Sequence, residues 1–270
     1  IKNLKGKIKF IKGDIRNKRS FDKAFKNNVD AVIHLAYVNG TKYFYSKPTL
    51  ILDIAIKGII NVIECCIKNK VKELYLASSS EVYQTPNKIP TDENECLKIP
   101  NIFNPRYSYG GGKIITELMG IHYGKKYFKK LVIFRPHNVY GKDMGNEHVI
   151  PQFINRFKSL KGKKFKIQGT GNEIRSFIYI DDFLSAFNKI LDKGKHLNIY
   201  NIGTTEKVKI KSLAFRLSKI FRKKIILKRS KLTEGSTKIR IPNINKIKKL
   251  GFIPKFNLEK GLRRALSLNH

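Results

Sequence analysis

The sequence predicts an α/β protein, a doubly wound parallel sheet with a smaller C-terminal lobe. Two observations carry that prediction. Short apolar runs at 29–37, 73–77, 130–135 and 198–203 are separated by stretches, 50–68 and 113–127 among them, whose apolar residues recur at helical spacing. Such alternation builds parallel sheets, because each parallel neighbour is reached through a crossover helix. The run at 73–77 also ends in three hydroxyls, Ser78-Ser79-Ser80. The C-terminal end of such a strand is where open α/β sheets bind ligands.

Taken in order, 7–12 alternates apolar and polar and predicts a strand, with Asp14 at its end. A short helix is expected over 20–25, with Ser20 as its N-cap. The run 29–37 predicts a buried strand, 50–68 a long amphipathic helix, and 73–77 the strand that leads to the serines. After Tyr109 a helix is expected through Tyr127, although Gly110, Gly111 and Gly112 each cost about 1 kcal/mol there. Another strand follows at 130–135. The pattern then changes. A helix over 149–160 carries Pro151 in its first turn, and Gly169-Thr170-Gly171 reads as a turn. Asp181 or Asp182 is expected to cap a helix over 183–191. The last sheet strand is 198–203, and a further helix covers 210–221. The expected division is 1–147 plus about 176–204 for the sheet domain, and about 148–175 plus 205–270 for the lobe.

Composition narrows the classes. No apolar run reaches the roughly 18 residues of a membrane span, and no signal peptide is visible. Cys65, Cys66 and Cys96 are odd in number and lack metal-ligand spacing, so no metal site is expected and a reducing cytoplasm is. The formal charge of +36 is extreme. Its lysines are scattered rather than gathered in a stripe, so a nucleic-acid partner is not expected.

Tyr109 and Lys113 are four apart and share one face if the helix begins near Tyr109. A phenol titrates near 10 and is a poor base at neutral pH, but a nearby ammonium favours the phenolate. With a serine hydroxyl facing the same spot, the set moves a proton on or off an alcohol while a hydride leaves its carbon.

Leu76-Ala77-Ser78-Ser79-Ser80-Glu81-Val82-Tyr83, then Asn104-Pro105-Arg106-Tyr107-Ser108-Tyr109-Gly110-Gly111-Gly112-Lys113, resembles the extended short-chain dehydrogenase/reductase family. Its NAD-dependent nucleotide-sugar epimerases, dehydratases and decarboxylases are the closest in pattern. The resemblance runs along nearly the whole chain and implies a Rossmann-like fold whose lobe binds substrate. It implies Ser79, Tyr109, Lys113 and Glu81 as catalytic. For NAD it implies Asp14, Ile15, Leu35, Ala36, Ser78, Tyr109, Lys113, Pro136 and His137. For the nucleotide sugar it implies Ser80, Asn138, Arg175 and Arg240. A homodimer through the helices at 50–68 and 113–127 is also implied. The family's glycine-rich pyrophosphate turn has no counterpart ahead of Ile1, so the fold is expected to be N-terminally truncated and NAD binding by these 270 residues weak. The chain departs from the family at Tyr37, Ala55, Ile59, Gln84, Gly112 and Asn243.

The resemblance leaves the reaction open. Dehydratases of the family carry Asp-Glu after the catalytic hydroxyl, where this chain has Ser80-Glu81. Decarboxylases often show Ser-Glu there and Pro-Arg before the Tyr, as at Pro105-Arg106. Epimerisation is the first expectation because it asks least beyond Ser79, Tyr109 and Lys113. A non-catalytic binding protein is the alternative of another class.

Overall fold

The structure is a computed structural model that describes residues 7–25 and 28–267. Its centre is a four-stranded parallel sheet of β1 (Ala31–His34), β2 (Glu73–Ala77), β3 (Lys130–Pro136) and β8 (Asn198–Ile202), in the order β1-β2-β3-β8. Registers run Leu74 opposite Leu131 and Phe134 opposite Tyr200. Successive side chains of β2 fill opposite faces. Leu74 and Leu76 pack with Ile59, Val62 and Ile63 of helix α2 (Pro48–Lys68). Tyr75 and Ala77 pack with Ala186, Phe187 and Ile190 of α5 (Ile180–Lys193). Helices on both faces explain why β2 and β3 read as unbroken apolar runs. Among the described residues β1 is one edge strand of this sheet, and Ile33 and Leu35 at its end are 43% and 61% exposed. The expected buried strand at 29–37 is thus shorter and more open than its sequence implied.

Helix α3 (Tyr107–Tyr127) holds all three successive glycines, buried, in its first two turns. Their cost is offset by close approach. A Cβ on Gly112 would lie 2.6 Å from the Cβ of Ala55 on α2, so the two helices meet nearly backbone to backbone. Farther along, Gly120 takes Leu76 of β2 against its backbone.

The remaining chain builds a second core under the C-terminal end of the sheet. Short strands β4 (Val139–Tyr140) and β7 (Ile178–Tyr179) pair with each other. β5 (Lys164–Gln168) pairs with β10 (Ile226–Ser230), and β6 (Ile174–Arg175) lies between β9 (Val208–Lys209) and β11 (Ile239–Arg240). Phe153 and Phe157 of α4 (Val149–Lys158), Leu213 and Leu217 of α6 (Ile210–Ile220), and Leu262 of the helix Leu258–Ser267 fill this core with Phe165. Phe177 and Tyr179 pack into it too.

Three expectations need correction. Residues 7–12 form no strand: Ile8 and Phe10 are exposed, and no neighbouring strand pairs with them among the described residues. The first short helix is a 3-10 turn over Lys18–Phe21, capped by Asn17, whose side chain accepts from the Arg19 N–H. Asp182 caps no helix. α5 begins at Ile180, and the Asp182 carboxylate accepts instead from the backbone N–H groups of Lys255 and Phe256, tying the C-terminal segment to α5. Among the described residues no helix is long and apolar enough to cross a membrane.

Candidate active site

A cleft of about 820 Å³ opens at the C-terminal end of β2 and β3, between the sheet and the second core. Its floor is the turn after β2. Ser79 caps a 3-10 turn, Ser80–Tyr83, by accepting from the Glu81 N–H at 3.2 Å. Gln84 closes that turn with φ +49, a left-handed conformation that glycine adopts without strain. Its amide is held at the Glu81 carbonyl and fills the space left by Gly110.

Tyr109 and Lys113 lie one turn apart on α3, both buried, and both line the cleft. The Lys113 ammonium donates to the Ala77 carbonyl at 2.7 Å. Burial depresses its pKa to about 7, against the charge of Glu117. Burial pushes the Tyr109 phenol well above its ordinary value, against the pull of a hydrogen bond with Ser79. The Tyr109 ring stacks on Phe44 of α1 (Thr41–Ser46), with centroids 4.7 Å apart. Ser79, Tyr109 and Lys113 therefore share one corner of the cleft, Tyr109 and Lys113 buried and Ser79 half-buried.

Behind that corner runs a buried polar network. Arg135 of β3 makes a two-pronged ion pair with Glu117, at 2.8 and 2.6 Å, and Ser78 donates to the same carboxylate at 2.5 Å. Arg135 also donates to Tyr83, which donates to Asn201. His137 meets Asn201 at 3.2 Å and is fully buried. Burial pulls its pKa down to about 3, so the ring is neutral.

Glu81 faces the cleft from the other side. It accepts from Arg240 at 2.7 Å and lies 3.5 Å from Arg106. Burial opposes its ionisation, but the two guanidinium groups prevail and hold its pKa at about 2. Arg175, nearby, donates to the Thr237 and Ile174 carbonyls. One carboxylate thus faces three guanidinium groups, which leaves a surplus of positive charge in the wall.

Of the residues expected from sequence, the cleft gathers Leu35, Ser78, Ser79, Ser80, Glu81, Tyr109, Lys113, Pro136, Asn138, Arg175 and Arg240. Asn138 sits in the left-handed region at φ +40, its side chain donating to the Ser176 carbonyl. Ala36 and His137 do not line the cleft; the His137 ring turns into the core. Asp14 and Ile15 also lie outside it. Arg16 clamps the Asp14 carboxylate at 2.6 Å and holds its pKa at about 2, while Ile15 packs on Gly58 of α2. The sequence reading assigned no role to Phe44, Glu117 or Tyr37. Glu117 was legible: it follows Lys113 by four, on the same face of the helix.

A parallel sheet whose strand end carries a serine, a buried phenol and an ammonium defines a class of protein, the α/β folds that keep their site at the C-terminal ends of the strands. The match to known proteins narrows the class. The model of the NAD dependent epimerase/dehydratase family matches residues 2–203, and the chain belongs to that family. A putative UDP-glucose 4-epimerase of Methanocaldococcus jannaschii is 32% identical over 98% of this chain and 85% of its own length. A dTDP-D-glucose 4,6-dehydratase of Dictyostelium discoideum is 34% identical over 73% of this chain, which spans 46% of that protein. The crystal structure of UDP-glucose 4-epimerase from Thermotoga maritima with UDP-glucose superposes with a TM-score of 0.85 at 26% identity, covering 94% of this chain and 82% of that one.

Proposed function

We propose that the protein is an NAD-dependent nucleotide-sugar epimerase that works through a keto-sugar intermediate. The observation that carries this reading is the convergence of Ser79, Tyr109 and Lys113 beside a Glu81 already committed to two arginines. Tyr109 takes the proton of a sugar hydroxyl and later returns it, acting as general base and then acid. Ser79 orients the sugar oxygen and steadies the phenolate. NAD, when bound, would supply the hydride exchange that the side chains themselves cannot. Lys113 suits the ribose of that cofactor: an ammonium has three donors, and among the described residues the Ala77 carbonyl is its one hydrogen-bond acceptor. Pro136, Ser78 and Leu35 complete that wall. Arg175, Arg240, Asn138 and Ser80 are the proposed contacts to the nucleotide sugar, the arginines suited by their forked donors to a diphosphate.

Epimerisation asks for nothing further. Loss of water needs a second acid and base, and a Glu81 held at about pKa 2 is a weak base. Dehydration remains the second reading on the strength of the Dictyostelium relative. Decarboxylation is the third, because Arg106 lines the cleft beside Glu81. Incubation with NAD and UDP- or dTDP-linked sugars, with products separated by chromatography, decides among them. An epimer is the expected product. A 4-keto-6-deoxy sugar or loss of CO₂ would replace the reading, and NAD binding without conversion of any sugar would favour a non-catalytic role.

A homodimer accompanies this proposal. Leu52 and Ile56 on α2, and Leu118 and Tyr127 on α3, are exposed apolar side chains on the two helices that would pair with their twins. Sedimentation at micromolar concentration should give twice the chain mass; a monomer would count against the pairing.

A further inference from the structure

Tyr37 follows β1 and enters the site from the sheet edge. Its ring lies over Lys113, with the ammonium 3.8 Å from the ring centroid. The same ring meets Tyr109 edge-on at 5.2 Å. Its hydroxyl is buried without a hydrogen-bond partner, in a notch where a Cβ on Gly112 would collide with it and Ala55 closes the other side. A buried phenol hydroxyl with no acceptor is unfavourable, so the hydroxyl does not account for the placement. The face of the ring does, because an aromatic face attracts a cation, and most strongly where water is excluded.

We propose that Tyr37 is a positioning residue for Lys113: its ring, seated in the notch left by Gly112 and Ala55, holds the ammonium against the Ala77 carbonyl and keeps it charged in a dry site. The role of Lys113 in the reaction rests on the function proposed above; the contact between the two side chains does not. Several groups act on this ammonium. Glu117 and Tyr109 belong to its own helix, and His34 to β1. Glu117 is engaged by Arg135 and Ser78, and burial together with the Lys113 charge keeps His34 neutral, its pKa drawn down to about 4. α2 contributes the methyl of Ala55. The Tyr37 ring, 3.8 Å from the ammonium, thus joins the Ala77 carbonyl in favouring the charged form.

The test is an NMR titration of the Lys113 side chain in the protein without substrate, its signal assigned by its loss in Lys113→Met. Tyr37→Phe keeps the face and should leave the midpoint in place. Tyr37→Leu removes the face and should move the midpoint down by about one pH unit. If the Leu variant does not fold, Tyr37→Met supplies a flexible apolar filler without a ring. A midpoint unchanged in the Leu or Met variant would overturn the proposal, and so would an upward move, the mark of water entering in place of the ring. The titration needs no turnover. A protein that converts no nucleotide sugar but shows the shift refutes the proposed reaction and keeps the Tyr37 assignment; turnover without the shift does the reverse.

Discussion

Replacing Glu81 by Gln leaves Arg240, Arg106 and Arg175 facing one another without their shared counter-charge. The size of the effect follows from the carboxyl itself, whose pKa is held at about 2 instead of 4.5. Each pKa unit is worth about 1.4 kcal/mol, so the ionised form contributes roughly 3 kcal/mol to folding. The folded-state value lies below the unfolded one. The contribution is therefore complete above about pH 4.5 and is lost as the pH falls toward 2. Urea unfolding at pH 7 should show Glu81→Gln less stable by roughly 3 kcal/mol, in line with the cost of breaking a buried ion pair. The difference between variant and parent should shrink steadily as the pH is lowered below 4.5. A loss under about 1 kcal/mol at pH 7, close to that of exposed pairs, would rule this contribution out. So would a difference that does not vary with pH. The same variant bears on the chemistry. If Glu81 serves only to gather arginines, turnover survives in part; a general base for water loss would cost a factor of about 10² to 10⁴.

Two further outcomes follow from the same corner. Lys113→Met should raise stability at neutral pH by up to roughly 4 kcal/mol, because a lysine depressed from 10.5 to about 7 by burial is costly to fold while charged. Its folded value lies below the unfolded one, so the gain is full below pH 7 and fades as the pH rises toward 10.5; thermal melts across that range check it, and a variant less stable at pH 7 contradicts it. Gly112→Ala should cost about 1–3 kcal/mol by overpacking, since the new methyl meets Ala55 at 2.6 Å and the Tyr37 hydroxyl more closely still. Adding Tyr37→Phe should recover part of that loss in denaturant unfolding, and no recovery would place the clash wholly between the helices.

The central strands of the sheet, β2 and β3, were legible because they are buried on both faces. Leu74 to Leu76 and Leu131 to Phe134 read as unbroken apolar runs, and each is covered by helices on two sides. The pairing of Tyr109 with Lys113 was legible as a spacing of four. The glycines between them gave no local reason for a helix. That reason is tertiary, the close approach of α3 to α2 and the packing of Gln84 into the gap at Gly110. Tyr37, Ala55 and Gly112 stood in the sequence as three separate departures from the family pattern. In the structure they are one arrangement, a ring admitted by the loss of a side chain from the facing helix, and no single-residue reading joins positions so far apart in the chain. The strand expected at 7–12 failed for the opposite reason. Its alternation is real, but a strand needs a neighbour to pair with, and sequence periodicity does not supply one.

In the proposed reaction Tyr109 transfers the proton while a hydride is exchanged. The most direct measurement is Tyr109→Phe, followed by NAD affinity from calorimetry and by conversion of a nucleotide sugar under the same conditions. NAD affinity should stay close to that of the parent and turnover should fall by a factor of about 10² to 10⁴, because the lost hydroxyl serves as acid and base rather than as a cofactor contact. Turnover within a few-fold of the parent would contradict it, since another group would then be carrying the proton.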